Sequence, residues 1–186
     1  MDEFRLETRR LVLRPLGPAD AEAFSAYRSD PQVARFQGWE APFSLERARE
    51  FIARLAEPEW ATPGEWFQVA ILRREDGGLV GDCAFQRLAA EPRQAQIGFT
   101  LARRYQGQGY AAEAVMALLG YLFEGLGLHR VTAVCDAENG TSIRLLERLD
   151  FRREGDFREN VWFKGIWGSE YLYALLAREW RARQSG

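Results

Sequence analysis

The segment Gln106-Gly107-Gln108-Gly109-Tyr110-Ala111 lies between a strand-like run ending at Leu101 and a long helical pattern. Two glycines in a tight strand-to-helix turn let the backbone approach a ligand closely and take positive φ where required. The helix that follows presents unpaired N–H groups and the positive end of its dipole, which together favour a phosphate. A pyrophosphate held in this way needs few basic side chains. Other readings of the turn compete. A dinucleotide fingerprint wants a third glycine where Ala112 stands, and an opening βαβ unit where this chain has an antiparallel meander. A P-loop needs Gly-Lys-Ser/Thr, and no lysine is present here. A connection that merely contains glycine is the plain alternative.

Further along, Asn139 and Ser142 open another helical pattern. Ser142 offers a hydroxyl for proton transfer, or is a first-turn residue behind an Asn139 cap, and the two roles can coexist. His129, the only histidine, follows Gly127-Leu128 ahead of a strand, which suits a loop or cap more than catalysis. Cys83 and Cys135 sit in apolar strand-like runs without metal-ligand spacing, so free buried thiols and no metal are expected. Asp82 and Glu170 lie in strands, facing either a cleft or solvent. Phe36, Trp39, Phe43, Trp66, Trp162 and Trp167 belong either to the core or to the lining of a site.

These residues need elements to position them. Leu11 to Arg14 reads as a first strand closed by Pro15. A helix starts near Pro18, with Phe24 and Tyr27 on one face, and ends at Pro31. Ser44 caps a second helix whose apolar face is Ala48, Phe51, Ile52 and Leu55, stopping before Pro58. Trp66 to Leu72, the turn Asp76-Gly77-Gly78, Leu79 to Phe85 and then Gln96 to Leu101 make a meander. Ala112 to Leu126 carries apolar residues at spacings of three and four, stopped by Gly125 and Gly127. Val131 to Cys135 is a strand, Ile143, Leu146 and Leu149 mark a helix, and Phe157 to Phe163 and Glu170 to Leu176 close the chain. The order β-α-α-β-β-β-α-β-α-β-β predicts an α/β fold with a mixed sheet, parallel across the 97–135 crossover.

With 186 residues, 47% hydrophobic and 28% charged, the chain suits a single domain over 1–186, with a tail after about Trp180. A net charge of −2 gives no electrostatic reason for nucleic-acid or membrane binding. Lys164 is the only lysine among many arginines, which fits a G+C-rich bacterial genome. Met1 to Arg10 is charged, without the apolar core of a secretory signal, and no run approaches the ~20 apolar residues of a membrane span. A cytoplasmic protein is expected.

Three segments together resemble a known family. Gln106 to Ala111 matches the Q/R-x-x-G-x-G/A signature of the GNAT N-acetyltransferases, and its continuation through Ala112-Glu113-Ala114 is similar to the ribosomal-protein N-acetyltransferase branch. Leu11-Val12-Leu13-Arg14-Pro15-Leu16 resembles that branch's opening strand, and Asn139 through Phe151 its N-x-x-S-x-x-x-L-E-x-x-G-F segment. The matches run in the family's own order from Leu11 to about Leu176. The resemblance implies a mostly antiparallel sheet with a central splay, flanked by helices, and transfer of acetyl from acetyl-CoA to a primary amine. It implies that Phe99, Thr100 and Leu101 pair with the pantetheine arm. Gln106, Gly107, Gln108, Gly109, Tyr110, Ala111 and Ala112 would form the pyrophosphate turn, and the splay opens against Val131 to Cys135. Asn139 would meet the pantetheine or its sulfur end, and Ser142 would lie near the sulfur as candidate acid. The acceptor is either a small amine or a protein N-terminus, and a homodimer is left open. The sequence departs from the family at Leu146, where many members have a tyrosine acid, at Gln96, where they carry glutamate, and at Asp150, usually glycine. Those departures motivate an alternative, a non-catalytic acyl-CoA-binding module.

Overall fold

The computed structural model describes residues 4–55 and 62–184. Among them, eight strands form one sheet in the order β1-β2-β3-β4-β5-β6-β8-β7. β1 (Leu6–Glu7), β2 (Leu11–Pro15), β3 (Trp66–Arg73), β4 (Leu79–Arg87) and β5 (Gln94–Leu101) are successive antiparallel neighbours. β6 (Arg130–Asp136) runs parallel to β5, which requires the crossover supplied by α4 (Tyr110–Gly120). β8 (Ile166–Leu176) is inserted between β6 and β7 (Arg152–Phe163), antiparallel to both. The mixed, mostly antiparallel sheet agrees with the order of elements read from the sequence.

Strand alternation divides the core in two. Leu13, Val69, Ile71 and Phe85 face Val115, Leu118 and Leu122 of α4 and its continuing π turn (Tyr121–Gly125), with Leu146 of α5 (Gly140–Arg148). Ala70 and Leu72 face the other way, beneath Phe24 of α1 (Ala21–Arg28) and Ala48 and Ile52 of α3 (Leu45–Arg54). β3 is therefore covered on both sides, and its middle reads as a continuous apolar run instead of an alternating one. Each such fully buried Leu, Ile or Phe stabilises the fold by roughly 1.5–3 kcal/mol.

Several boundaries differ from expectation. The Ser44 hydroxyl accepts the Arg47 N–H at 3.1 Å, the cap read from the sequence, while the stop before Pro58 lies outside the described residues. Pro31 begins a short helix, α2 (Pro31–Ala34), capped by Asp30, whose carboxylate accepts the Gln32 N–H at 2.9 Å. Proline suits a first helical position, because its missing N–H had no helical partner there. β7 begins at Arg152 instead of Phe157: Arg152-Arg153-Glu154 is a charged stretch of an edge strand, which shows neither an apolar run nor alternation. The chain continues past Trp180 as α6 (Ala177–Gln184), where a tail was expected. Trp180 is buried, stacked on Phe123 at 5.8 Å, and its indole N–H donates to Glu124 at 2.8 Å.

The feature that positions the site is a split in the sheet. β5 and β6 pair only from Gln94–Arg130 to Ile97–Ala133. Beyond that, β5 stays on β4 as far as Leu101 and β6 stays on β8 as far as Asp136, so the two strands part.

Candidate active site

At the open end of the split, Gly107 has φ 74° and Gly109 φ 81°, in the left-handed region that glycine occupies at little cost. Glu113 N–H makes the first helical bond, to the Gly109 carbonyl at 3.1 Å. The N–H groups of Tyr110, Ala111 and Ala112 thus have no helical acceptor, and no side chain caps them.

A second segment braces this turn. Glu113 receives the Thr8 hydroxyl at 2.6 Å, the Arg10 N–H at 2.8 Å and the Arg10 guanidinium at 2.6 Å. Arg10 also donates to the Gln108 carbonyl at 3.0 Å and lies 4.5 Å from the centre of the Tyr110 ring. Partial burial works to raise the Glu113 carboxyl, but the bonds from Thr8 and Arg10 outweigh it and hold the group below its ordinary value. Nothing local in the sequence announces this pairing.

A cavity of about 340 Å³ opens over the turn. One wall is Phe99, Thr100 and Leu101; Gln106, Gly107, Gly109, Tyr110, Ala111 and Ala112 form the turn side; Asn139 and Ser142 stand opposite with the rest of α5. The Gln106 amide donates to the Leu101 carbonyl at 3.0 Å and ties the turn to the strand end. Of the donor-site residues that the resemblance implies, Gln108 alone does not line the cavity, its side chain donating to the Arg104 carbonyl at 2.8 Å. A smaller cavity, about 100 Å³, fills the split between Ile97–Phe99 and Ala133–Asp136. Phe36, Gln37, Phe99, Asn139 and Ser142 line both, so the two meet at the start of α5.

Asn139 accepts the Ser142 backbone N–H at 3.1 Å and is the N-cap of α5. The Ser142 hydroxyl forms no hydrogen bond among the described residues and borders both cavities. The charges are segregated. Among the described residues, the only charged side chains lining the larger cavity are Arg144 and Arg148, and the only one lining the smaller is Asp136. Asp136 Oδ1 accepts the Glu138 N–H at 2.7 Å. Beside it, the Cys135 thiol is pushed up to about 11, first by burial and then by Asp136, Glu170 and Glu147, so it stays neutral near pH 7.

Other candidates lie apart from this junction. His129 is exposed at the opposite end of β6, its N–H bonded to the Arg93 carbonyl at 2.8 Å. Asp82 is buried beneath α1, where Tyr27 and Gln68 donate to it and Arg28 sits at 3.4 Å. Burial raises its carboxyl, against the opposing pull of Arg28. Trp39 and Phe43 pack around that same Arg28, while Trp162 and Trp167 are exposed near the tip of the β7–β8 hairpin. Of the six aromatics only Phe36 reaches the cavities. Cys83 is buried and, like Cys135, unbridged. Glu170 accepts from the Asn160 amide at 2.6 Å and sits across from Asp136 in the β6–β8 register. Among the described residues no group of His, Cys, Asp or Glu is placed to hold a metal, and no helix is long and apolar enough to cross a membrane.

Comparison with known proteins finds relatives along nearly the whole chain. The family profile described as acetyltransferase (GNAT) domain matches residues 10–152. An uncharacterized N-acetyltransferase of Bacillus licheniformis is 34% identical over 175 residues, 94% of this chain and 97% of the relative. A ribosomal protein uS5-alanine N-acetyltransferase of Escherichia coli is 24% identical over 190 residues, 95% of this chain and 92% of the relative. The crystal structure of a GNAT-family acetyltransferase from Bacillus anthracis superposes with a TM-score of 0.83 at 31% identity, covering 95% of this chain and 100% of that one.

Proposed function

Because the chain belongs to the acetyltransferase (GNAT) family of acetyl-CoA-dependent enzymes, we propose that it acetylates a primary amine that enters through the smaller cavity and reacts beside Ser142. The observation that carries this reading is the junction: a cavity with an anion-binding turn and a cavity with a lone carboxylate share Asn139 and Ser142.

The turn fits the donor. Three N–H groups lack helical acceptors, and nothing lies within 4 Å of the place a Cβ on Gly107 would occupy, so a pyrophosphate can approach the backbone. The unpaired edge of Phe99–Leu101 offers main-chain donors and acceptors to the pantetheine arm, as to an added strand. The thioester supplies an acetyl group already activated for attack. Asp136 receives the acceptor as its ammonium and takes its proton. The neutral amine then forms the C–N bond at the acetyl carbon while the C–S bond breaks. Ser142 gives its hydroxyl proton to the departing sulfur and regains, through water, the second proton that the nitrogen sheds on becoming an amide. Cys135 stays outside the reaction as a neutral thiol, and much of the rate enhancement comes from holding the reactants together.

The acceptor is either a protein N-terminal amine or a small amine. The name of the Escherichia coli relative, which gives an alanine of ribosomal protein uS5, supports including peptides. The test is release of free thiol from acetyl-CoA across Ala- and Ser-led peptides, spermidine, amino acids and an aminoglycoside. Saturable acceleration by at least one class is expected. Binding of acetyl-CoA with no acceleration by any amine would sink the proposal.

A further inference from the structure

We propose that Arg28 is a positioning residue for the acceptor amine: held among aromatic rings at the end of α1, it seats Trp39 and so sets where Phe36 and Gln37 stand at the junction of the two cavities. The inference rests on the acceptor reading above and adds to it a residue remote from the reacting atoms.

Arg28 occupies a costly place. It is the last residue of α1 and the only buried basic side chain among the described residues. Its guanidinium carbon lies 3.9 Å from the centre of the Trp39 ring and 4.0 Å from that of Phe24, with Phe51 at 5.2 Å and Phe43 at 5.4 Å. The contact with Asp82 is long, 3.4 Å, and the Arg28 Nε–H is buried with no acceptor among the described residues. Desolvating two charges is repaid only by close and complete hydrogen bonding, so an uncharged pair in these places would stabilise the core as well or better. What the cation adds is geometry, since a planar guanidinium attracts the ring faces around it and orders them more narrowly than an alkyl chain does.

The ordered rings lead to the site. Trp39 is tied to Arg28 twice, by its ring and by its indole N–H, which donates to the Arg28 carbonyl at 3.0 Å. Just ahead of it in the chain stand Phe36 and Gln37, which line both cavities. At the other end of the ion pair, Asp82 is directly opposite Thr100 in the β4–β5 register, and Thr100 lines the larger cavity. Residues so paired share a face of the sheet. The Arg28–Asp82 contact therefore joins the segment bearing Phe36 and Gln37 to the strands bearing the donor edge, and fixes how far apart the two sides of the junction stand. A core ion pair without this duty is the ordinary alternative, and it predicts variants whose kinetic constants stay those of the wild type.

Two variants separate these readings. Arg28→Met/Asp82→Asn removes both charges, leaves an acceptor for Tyr27 and Gln68, and should melt close to the wild type. Trp39→Phe keeps a ring and loses the indole N–H. Thiol release is followed with acetyl-CoA and whichever amine the wild type turns over fastest among Ala- and Ser-led peptides, spermidine, amino acids and an aminoglycoside. The double variant should raise KM for that amine by about five- to twentyfold, with kcat and KM for acetyl-CoA within about threefold of the wild type, because it loses placement of the amine and not chemistry. Trp39→Phe should move the same constant the same way by a smaller factor. An unchanged amine KM in the folded double variant would overturn the proposal; if that variant does not fold, an unchanged amine KM in Trp39→Phe overturns it instead. No thiol release by the wild type with any of these amines would overturn the acceptor reading, and this inference with it.

Discussion

At Ser142 two duties fall on different atoms. The backbone N–H serves the α5 cap, while the hydroxyl faces the junction of the cavities. Ser142→Ala keeps the cap, so it should melt like the wild type and bind acetyl-CoA normally, with kcat lower by about ten- to a hundredfold. Asn139→Ala removes the cap acceptor and should cost about 0.5–2 kcal/mol of stability. Full kcat in Ser142→Ala would leave the leaving sulfur to be protonated by water. Glu113 gives a prediction in pH. Its folded carboxyl is held low by Thr8 and Arg10 despite partial burial, so its contribution is present above the unfolded value of about 4.3 and is lost as pH falls through the folded value. Glu113→Gln should be less stable than the wild type by about 1 kcal/mol at pH 7, and the gap should close in acid. A gap independent of pH, measured by denaturant titration, would show that the bonds matter without the charge. The sequence was legible here where meaning is local. Asn139 and Ser142 announce themselves by spacing, whereas Arg10 and Glu113 are 103 residues apart and meet only through the fold. Asp136 acquires its meaning only because β6 leaves β5 just before it.

Among elements, the turn after α5 shows how a departure from the family is accommodated. Asp150 has φ 63°, the left-handed conformation that glycine adopts freely and aspartate at some cost. Its carboxylate lies 3.2 Å from Arg183 of α6, an exposed pair of small value. Asp150→Gly should therefore stabilise the protein by up to about 1 kcal/mol in a urea melt, and a loss of stability would mean that the Arg183 contact outweighs the backbone strain. The meander, the long crossover helix and the glycine turn were all readable, because each has its own period or punctuation. The early part of β7 and the short β1 were not. A charged edge strand and a strand two residues long leave no apolar pattern, and only their neighbours define them.

For the whole molecule, the two cores on either face of the sheet are closed by helices from different parts of the chain. α6 belongs to this closure although its composition suggested a tail: Trp180 is its one large apolar residue, and it reaches Phe123 and Glu124. Trp180→Ala should cost about 3–5 kcal/mol, and a variant within 1 kcal/mol of the wild type would show that α6 merely rests on the surface.

Lys164, in the turn joining β7 and β8, donates to the carbonyls of Ala34 and Trp39, each at 2.7 Å, and so fastens the hairpin to the segment that carries Phe36 and Gln37. Because no other lysine exists in the chain, an amine-directed acylating reagent has one side-chain target besides the terminal amine. Its rate of labelling at that site therefore reports how often the fastening opens, a single-residue stopwatch for the segment lining both cavities that requires no engineered probe.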